Sequence, residues 1–106
     1  MTDFDVEYNI IVDTMANDRM YDHFEFMAQV STSGAEKLLE GLIDSINSLK
    51  NMPQRNPVYD KPYLPKGKYR YLLSCDRYRI VYQIEGQFVY IDDIQDCRQS
   101  DINNLL

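Results

Sequence analysis

The spacing of the apolar residues changes once along this chain, from a helical period before residue 50 to a period of two after residue 68. Between residues 35 and 49 the apolar side chains recur three or four positions apart, which places them on one face of a helix. From residue 68 onward they alternate, as they do on the two faces of a β-strand. Helices followed by consecutive strands are typical of an α+β fold.

The first half of the chain is predicted to contain one short strand and two helices. Residues 8–12 are short and β-branched, which favours a strand. Thr14 is a candidate N-cap for a first helix over residues 15–30. Ser33 begins a capping box for a second helix over residues 35–49. Because the link between them is short, we expect the two helices to form a hairpin.

The four prolines all lie between residues 53 and 65, which predicts a stiff, irregular connection rather than a helix or a strand. Lysines and tyrosines are interleaved in and just after this segment, where they could line a surface for RNA or a partner protein. The candidate binding residues are Tyr59, Lys61, Tyr63, Lys66 and Lys68. The alternative is a linker packed on the edge of the domain.

Three strands are predicted next, at residues 68–74, 77–85 and 87–96, joined by tight turns at Cys75-Asp76 and around Gly86. These turns would place Tyr71 opposite Ile80, Tyr82 opposite Tyr90 and Ile84 opposite Phe88. The face that the helices must then cover carries Tyr69, Tyr71, Leu73, Tyr78, Ile80, Tyr82, Ile84, Phe88, Tyr90 and Ile94. Asp92 falls on the same face, which suggests either a register change in the last strand or a last strand that extends beyond the helices.

The opposite side of the sheet, which we call the outer face, is predicted to mix charged and β-branched side chains. It carries Arg70, Leu72, Arg79, Val81, Gln83, Val89, Ile91 and Asp93. No remaining segment looks long enough to cover this face, and an exposed face of this kind usually receives a partner. Asp93 would lie opposite Arg79, so a cross-strand ion pair is the structural alternative to a functional role for that arginine.

Charge and composition exclude several classes of protein. The net charge is -6, yet residues 55–79 hold seven bases against two acids, so one part of the surface can attract an anion. Zinc needs about four ligands, and Cys75, Cys97 and His23 are too few; we expect free thiols and a packing role for the histidine. The length of 106 residues favours a single domain over residues 1–106. An acidic start and the lack of a membrane-length apolar run favour a cytoplasmic location, and we expect no cofactor.

Two stretches of sequence carry a resemblance to a known family. Residues 78–84, Tyr-Arg-Ile-Val-Tyr-Gln-Ile, look like the signature strand of the RelE/ParE toxin superfamily. The helix from Ala35 to Leu49, followed by Pro53, is similar to the second helix of its ParE and plasmid-stabilisation branch. The resemblance implies the toxin of a type II toxin-antitoxin module, neutralised by a co-expressed antitoxin whose tail wraps around it.

The superfamily contains two kinds of toxin. RelE-like members cleave mRNA on the ribosome without a metal, because clustered bases stabilise charge around the scissile phosphate. By resemblance Arg70, Arg79 and Arg98 are candidate catalytic residues of such an mRNA interferase, and the expected register places the first two side by side. Ribosome-dependent cleavage of mRNA is therefore the leading hypothesis.

Other sequence features favour alternatives to the cleavage of mRNA. Leu72 stands where RelE-like enzymes carry a lysine, and the C-terminal tail offers no general acid or base. Arg98 also has Asp96 and Asp101 nearby as structural partners. A ParE-like, non-enzymatic inhibitor of DNA gyrase, and a degenerate member that only binds antitoxin, therefore remain as alternatives.

Overall fold

The computed structural model describes residues 6–98 and shows two helices packed on one face of a four-stranded sheet. The elements in chain order are β1 (Asn9–Val12), α1 (Thr14–Ala28), α2 (Thr32–Ser48), a short 3-10 helix (Pro53–Arg55), β2 (Tyr69–Ser74), β3 (Tyr78–Glu85) and β4 (Phe88–Asp96). The α+β fold, with its N-terminal strand, helical hairpin and three-stranded antiparallel meander, is confirmed.

The sheet has the strand order β1-β4-β3-β2, so the first and last strands of the chain are neighbours. β1 runs parallel to β4, whereas the pairs formed by β2, β3 and β4 are antiparallel. Parallel neighbours need a long crossover, and the helical hairpin lies within it. The amide of Asn9 donates to the carbonyl of Gln87 at 2.8 Å, and that of Asp13 donates to Ile91 at 2.9 Å.

Both helices begin earlier than the sequence pattern indicated. The Asp13 carboxylate accepts a hydrogen bond from the amide of Met15 at 3.0 Å, so Asp13 rather than Thr14 caps α1. The Ser31 hydroxyl accepts from the amide of Gly34 at 3.0 Å, so Ser31 rather than Ser33 caps α2. The predicted caps were wrong because an upstream side-chain oxygen satisfies the free amides of each first turn.

The hydrophobic core lies between the hairpin and the sheet, as the apolar face of the second helix predicted. Leu42, at the centre of α2, is fully buried. The other side chains that form the core are Ala16, Met20, Leu38, Ile46 and Leu49 from the helical half, and Tyr78, Ile80, Tyr82, Val89, Ile91 and Ile94 from the sheet.

The turn between β2 and β3 is one residue longer than predicted, and this exchanges the two faces of β2. Ser74 pairs with Tyr78, leaving a three-residue turn whose first two residues, Cys75 and Asp76, have φ of 52° and 68°. A shift of one residue in an antiparallel pair moves every side chain of the strand to the other face. Tyr69, Tyr71 and Leu73 therefore lie on the outer face, and Arg70 and Leu72 lie on the helix side.

The register between β3 and β4 also differs from the prediction. Ile84 pairs with Val89 and Tyr82 with Ile91, so Phe88 and Tyr90 lie on the outer face, while Val89 and Ile91 enter the core. A bulge at Asp92 then shifts the register, since Val81 pairs with Asp93. The expected register change is thus confirmed, and it returns Ile94 to the core.

We expected that nothing would cover the outer face, and this was wrong for the centre of that face. Residues 57–68, which we call the strap, run along the edge of β2 and turn the Tyr59 ring over this face. The amide of Tyr59 donates to the Tyr69 carbonyl at 2.7 Å, and the amide of Tyr71 donates to the Pro57 carbonyl at 3.1 Å. The alternative of a linker packed on the edge of the domain is thus confirmed. That the linker also covers the outer face was not predicted, because a segment rich in proline has no apolar period, although one aromatic ring suffices to bury a small face.

Candidate interaction site on the strap and outer face

Arg79 lies on the outer face under the strap. Its guanidinium carbon is 5.1 Å from the centre of the Tyr59 ring, an arrangement typical of a cation–π contact. Its Nε is buried and forms no hydrogen bond within residues 6–98. Gln95, not Asp93, is its cross-strand partner, so the predicted pairing with Asp93 was wrong. This shift of two residues has two sources, the changed register after the β3–β4 turn and the bulge at Asp92.

Asp93 is instead held by Arg19 of α1, which the sequence analysis had not selected. The Arg19 guanidinium lies 3.2 Å from one Asp93 carboxylate oxygen, and the Gln95 amide donates to the other at 3.1 Å. Asp93 is only 1% exposed, so its charge needs these partners. The available sequence signal was that Arg19 is the single base in an otherwise acidic first helix.

Arg70 lies on the other side of the sheet from Arg79, opposite Tyr82. Its guanidinium donates to the Asn56 carbonyl at 2.6 Å, and the Asn56 side-chain amide donates to the Tyr82 hydroxyl at 3.0 Å. That hydroxyl donates to the Pro53 carbonyl at 2.6 Å, and burial raises its pKa despite the opposing effects of Asn56 and Arg70. The expected juxtaposition of Arg70 and Arg79 was therefore wrong, and Arg70 anchors the start of the strap.

Arg98 lies just past the end of β4 and pairs with Asp96. Its side chain donates to the two Asp96 carboxylate oxygens at 3.2 and 3.4 Å, and its backbone amide donates at 3.0 Å. Burial alone would raise the pKa of Asp96, but the hydrogen bonds from Arg98 outweigh it and hold that pKa below its usual value. The other predicted partner, Asp101, lies outside the described residues.

The histidine and the two cysteines are not part of a metal-binding group within residues 6–98. The His23 Nε2 donates to the Ile94 carbonyl at 2.8 Å, and its ring lies 5.0 Å from that of Tyr78, as expected for a packing histidine. Cys75 and Cys97 are free thiols. Within residues 6–98 no group of three His, Cys, Asp or Glu side chains could hold a metal ion. In the same range, neither helix has the length and apolar character to span a membrane.

The strap carries the candidate binding residues in two different environments. Tyr59 is 4% exposed and packs against Arg79 and against Tyr71, whose ring centre is 6.0 Å away, so its ring is not available for stacking. Tyr63, in contrast, is 61% exposed. Lys61 lies over the Tyr59 ring and Lys68 over the Tyr69 ring, at 5.5 and 5.4 Å. The accessible part of the candidate site is therefore the outside of the strap, where Tyr63, Lys66 and Lys68 are exposed and Lys61 is half-buried.

The fold places the chain in a class of small α+β domains in which a helical hairpin covers a meander. A chain of the solved chromosomal ParDE TA system from P. aeruginosa matches with a TM-score of 0.65 and 14% identity, covering 90% of this chain and 98% of that chain. At this identity the likeness concerns the fold alone. No curated protein matches the chain in sequence.

The family is assigned from a match in sequence. Residues 10–100 match the family described as ParE toxin of type II toxin-antitoxin system, parDE. Because this match spans most of the chain, the protein belongs to the ParE toxin family. The RelE/ParE resemblance of the signature strand and the second helix is thereby confirmed.

Proposed function

We propose that this toxin arrests growth by binding and inhibiting DNA gyrase, without enzymatic activity, and that a co-expressed antitoxin neutralises it. Its membership of the ParE family supports this target, since ParE-like members of the superfamily inhibit gyrase. Such a target is consistent with the cytoplasmic location expected from the sequence.

The separation of the three candidate catalytic arginines is the observation that carries the proposal. Metal-free cleavage of RNA requires several preorganised cations around one phosphate. Here Arg70 donates to a carbonyl on the helix side, Arg79 lies under Tyr59 on the outer face, and Arg98 pairs with an aspartate beyond the sheet. Each arginine has a structural contact of its own, so the mRNA cleavage hypothesis has no geometric support. A toxin that acts by binding needs no such convergence.

The direct test is inhibition of gyrase by the purified toxin. We expect it to block negative supercoiling of a relaxed plasmid, and we expect the product of the adjacent antitoxin reading frame to restore supercoiling. A translating extract given the same toxin should make protein at the normal rate, and primer extension should show intact transcripts.

Arg98→Ala gives the matched control, because this side chain is 56% exposed and its loss should lower the stability without unfolding the protein. We expect the variant to inhibit gyrase as the wild type does. Transcript cleavage by the wild type that disappears in Arg98→Ala would refute the proposal and restore the RNase hypothesis. Folded toxin that affects neither gyrase nor translation would instead indicate a degenerate member.

A further inference from the structure

The strap contains two consecutive hydrogen-bonded turns. The amide of Leu64 donates to the Lys61 carbonyl at 3.0 Å, and the amide of Lys68 donates to the Pro65 carbonyl at 3.3 Å. Gly67 supplies the φ of 75° that the second turn requires. A surface fixed in this way loses little conformational entropy when a ligand binds.

A shallow cavity lies on the outside of these turns. Its volume is about 360 Å³, and it is lined by Asp60, Lys61, Pro62, Leu64 and Lys66. The Asp60 carboxylate already accepts a hydrogen bond from the Gly67 amide at 3.2 Å, which ties the two ends of the strap together. The lining of the cavity therefore combines two apolar side chains, Pro62 and Leu64, with two lysines and the hydrogen-bonded Asp60.

The charge of the strap is opposite to that of the rest of the protein. The strap has three lysines and one aspartate, whereas the rest of the chain has eight bases and sixteen acids. Lys66 forms no ion pair within residues 6–98. A positive lobe on an acidic molecule attracts anionic partners and orients them as they approach.

We propose that the strap cavity binds a short acidic peptide segment of a partner protein, with one apolar side chain on Pro62 and Leu64 and its carboxylates at Lys61 and Lys66. Charge complementarity favours this occupant. A nucleic acid fits less well, because several phosphates must be neutralised for useful affinity while the surrounding acidic surface repels them. The inference rests on the proposed function only in taking the toxin's partners to be proteins.

The test uses the full-length toxin and a fluorescein-labelled peptide in which Asp and Glu alternate with Leu. We expect saturable binding by fluorescence anisotropy that weakens as salt is raised, since exposed ion pairs are screened. The charge-reversed variant Lys61→Glu/Lys66→Glu should bind about tenfold more weakly or worse. Leu64→Ser should weaken binding by a few-fold, because it replaces one of the two apolar lining side chains with a polar one.

The matched control is Lys37→Glu/Lys50→Glu, which makes the same charge change on exposed positions of the hairpin side. We expect it to bind the peptide within about twofold of the wild type, because these lysines are outside the cavity. Circular dichroism and Tm confirm that both double variants are folded. Equal losses in the two variants would show attraction by net charge alone and would overturn the proposal.

Two further outcomes would also overturn it: no peptide binding by the folded wild type, or tighter binding of a DNA duplex that is lost in Lys61→Glu/Lys66→Glu. The gyrase assay keeps this inference separate from the proposed function. A toxin that binds the peptide at the strap without inhibiting gyrase supports the strap site and contradicts the target. A toxin that inhibits gyrase without binding the peptide supports the target and contradicts the strap site.

Discussion

The guanidinium group of Arg79 and the ring of Tyr59 are stacked across the gap between the sheet and the strap, 5.1 Å apart. The Tyr59 hydroxyl continues the contact inward by donating to the Gln95 side chain at 3.4 Å. The strap thereby closes the part of the outer face where a phosphate would have to approach Arg79. In this toxin the signature arginine of the family holds the strap in place.

Removal of the Arg79 charge is expected to weaken the fold more than the function. Arg79→Gln loses the cation–π contact, which in a partly desolvated site contributes about 1–2 kcal/mol to the free energy of unfolding. Chemical denaturation measures this loss, and induction of the variant should still arrest growth. Tyr59→Phe is the control, because it keeps the ring. Lost arrest in a variant of unchanged stability would instead give Arg79 a role in binding the target.

Arg70 is expected to hold the start of the strap. Arg70→Ala removes the hydrogen bond to the Asn56 carbonyl, and a bond to a charged donor contributes about 1.5–3 kcal/mol. Hydrogen exchange should then accelerate at the amides of Tyr59 and Tyr71, which join the strap to β2. Unchanged exchange at both amides would show that the strap is held without Arg70.

Asp92, the bulge residue, is expected to destabilise the folded protein at neutral pH. Burial raises its pKa, as does the nearby Asp13, although the Gln83 amide donates to the carboxylate at 2.6 Å and opposes the shift. Because the folded-state pKa is above the unfolded value, the unfavourable contribution is present at neutral pH and disappears on protonation. Asp92→Asn should therefore have a higher Tm than the wild type at about pH 7 and an equal Tm at about pH 3.

Asp96 is expected to show the opposite dependence on pH. Its pKa is lowered in the folded state, chiefly because the hydrogen bonds from Arg98 outweigh the effect of burial. The stability that it contributes is therefore present above the unfolded pKa and is lost as the pH falls through the folded pKa. Asp96→Asn should have a lower Tm at neutral pH, and the difference from the wild type should shrink on acidification. Parallel pH profiles for Asp92→Asn and Asp96→Asn would contradict one of the two assignments, and the common direction would show which one.

Gly41 in α2 is expected to be coupled to Cys75 in the turn between β2 and β3. A Cβ at position 41 would lie 2.5 Å from the Cys75 sulfur, so the thiol must move. Alanine normally stabilises a helix interior by about 1 kcal/mol over glycine. We expect Gly41→Ala to give this gain only in a Cys75→Ala background, as a double-mutant cycle by denaturation would show. Additive effects of the two substitutions would mean that the Cys75 sulfur moves aside at no cost in stability.

The secondary structure and the fold class could be read from the sequence, because they depend on local patterns. The apolar period of α2, the break before Pro53 and the alternation after residue 68 each reflect neighbours within a few positions. The same patterns identified the toxin superfamily and the packing role of His23. The order of residues in the sequence also proposed the strap lysines as candidate binding residues, and that role stays a prediction.

The composition of each sheet face, however, was decided by the tertiary structure. One additional residue in the turn that contains Cys75 and Asp76 moved Arg70 to the side opposite Arg79. The register between β3 and β4, together with the bulge at Asp92, changed the partner of Arg79. Turn length and bulges depend on backbone conformations that the residue types do not indicate. The positive φ of Cys75 is an example, because cysteine does not favour this conformation. The position of Tyr59 on the outer face likewise requires the assembled sheet, because its contacts are with residues distant in the sequence.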